Sequence, residues 1–167
     1  MLSVVWIIFT AVMIAAVIID LKSYRIPNSL VGALLVLFSI VAAAHLSEVS
    51  WMEHIAAALV VFGAGIFLYA LNQMGAGDVK LLSVVALWSG IYPLPVLLFY
   101  VSLCGLVGML VILGLRMIAP RLQSHPPSEG RKLPRLLTKG QGIPYAIGIG
   151  PGAIIASFSF SPWLWQV

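Results

Sequence analysis

Apolar residues run along this chain in six blocks separated by short polar stretches: Val4 to Ile19, Leu30 to Ala44, Ile55 to Leu71, Val79 to Ile91, Val96 to Leu115 and Pro144 to Phe160. A hydrocarbon core of about 30 Å takes roughly 20 helical residues per crossing, so the blocks read as transmembrane helices. The fourth is the shortest. At about 1.5 Å per residue it reaches only about 20 Å, and Pro93 and Pro95 discourage its extension. Charge decides whether it crosses. With all six blocks spanning, Lys22, Arg25, Lys80, Arg116, Arg121, Arg131, Lys132, Arg135 and Lys139, every Lys and Arg in the chain, fall on one side. The loop from His45 to His54 on the other side carries only Glu48 and Glu53 as formal charges. Basic residues mark the cytoplasmic side. The expected fold is therefore an all-α polytopic membrane protein with six transmembrane helices and both termini outside the cytoplasm.

Composition agrees: 62% of residues are hydrophobic, 8% are charged, and mean hydropathy is +1.11. Residues 1–167 form one membrane-embedded domain, with the lipid bilayer as a partner and no room for a separate soluble domain. A cleaved signal peptide is not expected, because the first block has no basic segment ahead of it and ends at Asp20, not at small residues. The single cysteine, Cys104, rules out a disulfide framework and reads as a small buried hydrophobe. His45, His54 and His125 read as solvated loop residues without metal-ligand spacing, so no metal is expected. Trp6, Trp51, Trp163 and Trp165 lie near the outer helix ends, as in an interfacial belt. No cofactor motif appears, and the net charge of +4 implies no nucleic acid because the basic residues follow topology. The stretch from Met117 to Gln141 reads as an irregular loop.

The chemistry lies in the only two aspartates, Asp20 and Asp78. Ionisable groups at membrane depth cost at least about 2.5 kcal/mol on insertion scales, which makes them functional candidates. Asp20 closes the first block. Asp78 opens the fourth within Gly75-Ala76-Gly77-Asp78-Val79-Lys80, where Gly75 and Gly77 allow close approach of another chain segment. In isolation that tetrapeptide also reads as a turn with a helix cap. Two carboxyls brought together share a proton and titrate as a pair. Such a pair suits peptide hydrolysis: one member takes a proton from water while the other polarises the carbonyl. Helix polarity favours Asp78, at a positive helix N-terminus, as the ionised base.

These residues resemble the type IV prepilin peptidases, Gly-x-Gly-Asp aspartic proteases of the bacterial inner membrane. Three stretches carry the likeness: Asp20 followed by Ile26-Pro27-Asn28, then Gly75-Ala76-Gly77-Asp78-Val79-Lys80, and the weaker Ile143-Pro144-Tyr145-Ala146. The resemblance implies that Asp20 and Asp78 are catalytic and that no cofactor is used. It also implies a prepilin or pseudopilin substrate, whose leader is removed at the cytoplasmic face, and pilus assembly components as further partners. Large members add an N-terminal cytoplasmic domain with paired cysteines and methylate the product. This sequence shows neither, so it is most similar to the small peptidases of tight-adherence (Flp) pilus systems, and methylation does not carry over. Archaeal preflagellin peptidases are a secondary likeness.

Neighbouring residues have two readings each. Pro27 and Asn28 end the loop and cap the second helix, or they position substrate. Lys80 snorkels to the interface, or it supports a carboxylate. Gly148, Gly150, Pro151 and Gly152 allow close packing in the last helix, or they gate substrate access. The whole chain has two alternative functions: a small proton-coupled transporter using the same acids, and a noncatalytic scaffold of a pilus or secretion complex.

Overall fold

Lipid cannot satisfy backbone amides, so long apolar blocks fold into helices that satisfy their own. The computed structural model describes residues 4–122, 142 and 144–160, with the backbone alone at 119–122. It contains six α-helices in chain order: α1 (Val4–Ser23), α2 (Asn28–Ala44), α3 (Trp51–Ala70), α4 (Ala76–Ser89), α5 (Leu94–Leu122) and α6 (Ala146–Ala156), the last continued by a 3₁₀ turn at Ser157–Ser159. No strand occurs among the described residues. α1, α3 and the Leu94–Ile118 stretch of α5 are long and apolar enough to cross a membrane. α2 and Ala146–Ser159 are apolar but shorter.

The short fourth block is the centre of the bundle. Nine residues of α4, Asp78 among them, are buried. A helix enclosed on all sides needs no lipid-facing stripe, which accounts for its lack of one-sided patterning. Trp88, fully buried, donates its indole N–H to the Leu34 carbonyl at 3.2 Å and lies 5.1 Å from the Phe9 ring and 5.6 Å from the Phe38 ring. Aromatic pairs at such spacing add about 0.5–1.5 kcal/mol beyond area burial, so this cluster ties α1 and α2 to α4. Pro95 falls in the first turn of α5, where its missing N–H has no partner to lose.

Three expectations change. His54 is not a solvated loop residue: α3 begins at Trp51, so His54 sits in its first turn, only 2% exposed. Its Nδ1 lies 2.7 Å from the Leu87 carbonyl, one of the terminal carbonyls that α4 cannot satisfy internally. His45 is half-buried, with Nδ1 3.1 Å from the Val41 carbonyl. The stretch expected to be irregular from Met117 is helical as far as Leu122, because a helix already propagating adds residues more easily than one that must nucleate. The rest of that stretch, with His125, Arg131, Lys132, Arg135 and Lys139, lies outside the described residues, as do Ile143, Trp163 and Trp165. Of the expected belt, Trp51 is exposed, whereas Trp6 donates to the Ser157 hydroxyl at 2.9 Å.

α6 packs closely on α5 through glycines. A Cβ at Gly148 would lie 2.8 Å from Gly105 Cα, and one at Gly152 would lie 2.5 Å from Val101 Cα. The packing reading of these glycines therefore holds. Gly152→Ala is expected to destabilise the fold by about 1–3 kcal/mol, since backbone must move to admit the methyl. Thermal unfolding in detergent checks this against Gly114→Ala, where nothing lies within 4 Å.

Candidate active site

Asp20 lies near the end of α1, and Tyr24 turns the chain immediately afterwards. The Tyr24 N–H donates to the Asp20 carbonyl at 2.8 Å, and Tyr24 adopts φ 54°, the left-handed region uncommon outside glycine. This turn sends Arg25-Ile26-Pro27 back towards α4. There Gly77 is needed for close approach: a Cβ on it would lie 3.2 Å from Ile26 Cβ and 3.5 Å from the Ile26 nitrogen. The segment after Asp20 thus packs on the turn that carries Asp78.

Both carboxyls are buried, Asp20 at 4% exposure and Asp78 at 9%. They are close enough for the charge of one to act on the other. Each is also held by the amino end of a helix. Asp20 Oδ2 accepts the N–H of Ala146, the first residue of α6, at 3.2 Å. Asp78, third residue of α4, reaches back to the N–H of Gly75 at the N-cap, which is one half of a capping box. A Cβ at Gly75 would lie 2.6 Å from Asp78 Oδ2. The other oxygen, Asp78 Oδ1, is buried with no hydrogen-bond partner among the described residues. Such a group carries a desolvation penalty of about 1–3 kcal/mol, and substrate or water can relieve it. Because α6 presents a helix N-terminus to Asp20, helix polarity does not single out Asp78 as the ionised member.

The remaining candidates gather at the same end. Pro27 occupies the N-cap of α2 without a side-chain cap bond, so Asn28 is not the cap. Its Oδ1 instead accepts from Lys80 Nζ at 3.1 Å, which ties α2 to α4 beside Asp78. Lys80 is bonded to an amide rather than to a carboxylate. Arg116 Nη2 donates to the Gly142 carbonyl at 3.3 Å, close to the start of α6. Lys22, Arg25 and Lys80 lie in or next to the helix ends that carry the aspartates. No group of three or more metal-ligating side chains occurs among the described residues.

The sequence marks Ile143-Pro144-Tyr145-Ala146 only as a likeness and gives two of its residues no role. The Ala146 donor is a backbone amide and leaves no mark in residue type. Tyr145, the N-cap of α6, donates its hydroxyl to the Gln73 carbonyl ahead of α4, a pairing across 72 positions that no local pattern encodes. A cavity of about 800 Å³ opens beside these residues, walled by Leu82, Leu98, Val101, Met109 and Ile147 and rimmed by Asn72, Gln73, Arg116 and Tyr145. Its lining includes Met74, just ahead of α4, and Pro144 and Tyr145, just ahead of α6, but neither aspartate.

No curated protein and no solved structure matches the chain. The pattern of one family does, over residues 7–110, a stretch that includes both aspartates, the Ile26-Pro27-Asn28 segment and the Gly75 to Asp78 turn. A match over more than half of the sequence, on helices that bring these two carboxyls to one end of the bundle, places the chain in the type IV leader peptidase family, and so among the proteases.

Proposed function

We propose that this chain is an aspartic endopeptidase of the bacterial inner membrane that removes the leader of prepilins or pseudopilins at the cytoplasmic face. On this reading residues 1–167 form one domain, all six helices cross the bilayer, both termini lie outside the cytoplasm, and the pilus belongs to the tight-adherence (Flp) type. The observation that carries it is the pair of buried carboxyls on α1 and α4, each held by a helix amino end, with Asp78 Oδ1 unpartnered among the described residues. The family match supports the leader peptidase chemistry.

We assign Asp20 as the ionised base, the reverse of what helix polarity alone suggests: both carboxyls accept a helix-start amide, and Asp78 Oδ1, buried with no hydrogen-bond partner among the described residues, is the oxygen left to carry the proton. Asp78 carries the shared proton on Oδ1 and donates it to the scissile carbonyl oxygen. Water adds to the carbonyl carbon as Asp20 takes its proton. The tetrahedral intermediate collapses when Asp78 recovers its proton from the hydroxyl and Asp20 protonates the leaving amine. Gly75 and Gly77 allow the two arms to meet, and the Lys80–Asn28 bond together with Pro27 positions the loop that faces substrate. The mostly apolar cavity, lined by residues just ahead of α4 and α6, suits the apolar segment that follows a prepilin leader.

Purified protein in liposomes, given a synthetic prepilin and an internal pH dye, tests the reading. Leader release without proton flux is expected. Flux without cleavage would favour a transporter, and neither would favour a scaffold. Infrared spectra test the assignment within the pair: a protonated carboxyl band lost in Asp78→Asn and kept in Asp20→Asn is expected, and the reverse would exchange the roles.

A further inference from the structure

The two carboxyls are joined by a short path that runs through the start of α6. Asp20 Oδ2 accepts the Ala146 N–H at 3.2 Å. The preceding residue, Tyr145, donates its hydroxyl to the Gln73 carbonyl. Gln73 is fixed in turn: its N–H donates to the Leu68 carbonyl at 2.9 Å, and Asn72 beside it adopts φ 57° to close α3. Two residues beyond Gln73, the N–H of Gly75 holds the Asp78 carboxyl. One side-chain hydroxyl therefore closes the link between the element that supplies a donor to Asp20 and the turn that supplies one to Asp78.

We propose that Tyr145 is a positioning residue: its hydroxyl fixes the amino end of α6 against the turn ahead of α4 and so holds the Asp20 and Asp78 carboxyls in register. Tyr145 is 51% exposed, so burial is not its main contribution. The family match ends at residue 110, well before this contact. α6 is also anchored deeper by its glycine contacts with α5, so loss of the hydroxyl frees the first turn without unfolding the helix. The consequence for catalysis rests on the peptidase reading above; the consequence for geometry does not.

Tyr145→Phe keeps the ring and removes only the donor. In nanodiscs with a synthetic prepilin, kcat is expected to fall by about 10- to 100-fold, the scale of loss when reacting groups are misplaced by about an ångström. KM is expected to stay within about twofold, because the hydroxyl is bonded to backbone rather than to substrate. A second readout needs no substrate: the carboxylate infrared bands of Asp20, identified by subtraction of Asp20→Asn spectra, shift in Tyr145→Phe. Incorporation of p-aminophenylalanine at position 145, which restores a donor at similar reach, is expected to recover kcat; p-fluorophenylalanine, which keeps the ring and has no donor, takes the place of Tyr145→Phe if that variant proves unstable. Wild-type kcat with unmoved Asp20 bands would overturn the proposal. So would a change confined to KM, which would make Tyr145 a substrate contact. Shifted bands in a protein whose wild type never cleaves prepilin would leave the positioning role standing and remove the peptidase reading instead.

Discussion

Asp20→Asn and Asp78→Asn each lower leader removal by at least about 10³-fold, towards the upper end of what general acid–base groups contribute. Asparagine keeps the size and one carbonyl oxygen of each side chain, so the fold loses little. The substituted amide at position 20 can still accept the Ala146 N–H through its oxygen, and the one at position 78 can still reach the Gly75 N–H. What each variant loses is the proton chemistry. At position 20 no group remains to take a proton from water, and at position 78 no acid remains for the carbonyl oxygen. The two losses do not add, because the pair acts as one unit: the double variant is expected to be no slower than either single one. Quantitative proteolysis assays, normalised to membrane abundance on immunoblots, check this. A single variant retaining more than about a tenth of wild-type rate would remove its residue from the chemistry.

Gly75→Ala is expected to reduce cleavage by about 100-fold with almost no loss of stability. The added methyl would lie 2.6 Å from Asp78 Oδ2, closer than any ordinary contact, so something must move. Backbone geometry is not the obstacle, since Gly75 at φ −75° and ψ 145° occupies a region open to alanine. The carboxyl yields because it is the free end of a side chain, and in yielding it leaves the N-cap amide and its place opposite Asp20. Gly77→Ala meets Ile26 Cβ at 3.2 Å, and its nearest contacts are all with Ile26 rather than with a carboxyl, so its effect on rate is expected to be smaller. Comparing kcat and unfolding midpoints of the two variants separates them. Equal losses of activity and stability at Gly75 would mean that the glycine serves only the fold.

The helices are legible in the sequence because lipid imposes a single backbone solution on long apolar blocks. Val79 to Ile91 is too short to be convincing as a span by length alone; the positions of Lys80 and Arg116 argue that it crosses, and the helix found there runs from Ala76 to Ser89, short and enclosed by its neighbours. Asp20 and Asp78 stand out because charge at membrane depth is expensive. Less is legible where one residue type serves two environments. His54 reads as a loop histidine until the start of α3 is fixed by tertiary packing, and Met117 to Leu122 reads as a loop because Pro120 masks helix propagation. Asn28 looks like a cap, yet its amide is taken by Lys80 across 52 positions. The Ala146 amide is invisible altogether: a backbone donor becomes specific only when a helix start is set against a distant side chain, and that depends on the α5–α6 glycine packing.

Whether Asp20 and Asp78 together hydrolyse the peptide bond behind a prepilin leader is decided by incubating the purified chain with a full-length prepilin from the same genome and weighing the products. Wild type is expected to yield two fragments from a single cut between the leader and the apolar segment, and neither asparagine variant is expected to yield any at matched protein. Intact prepilin with wild type, or the same two fragments with both variants, would show that they do not.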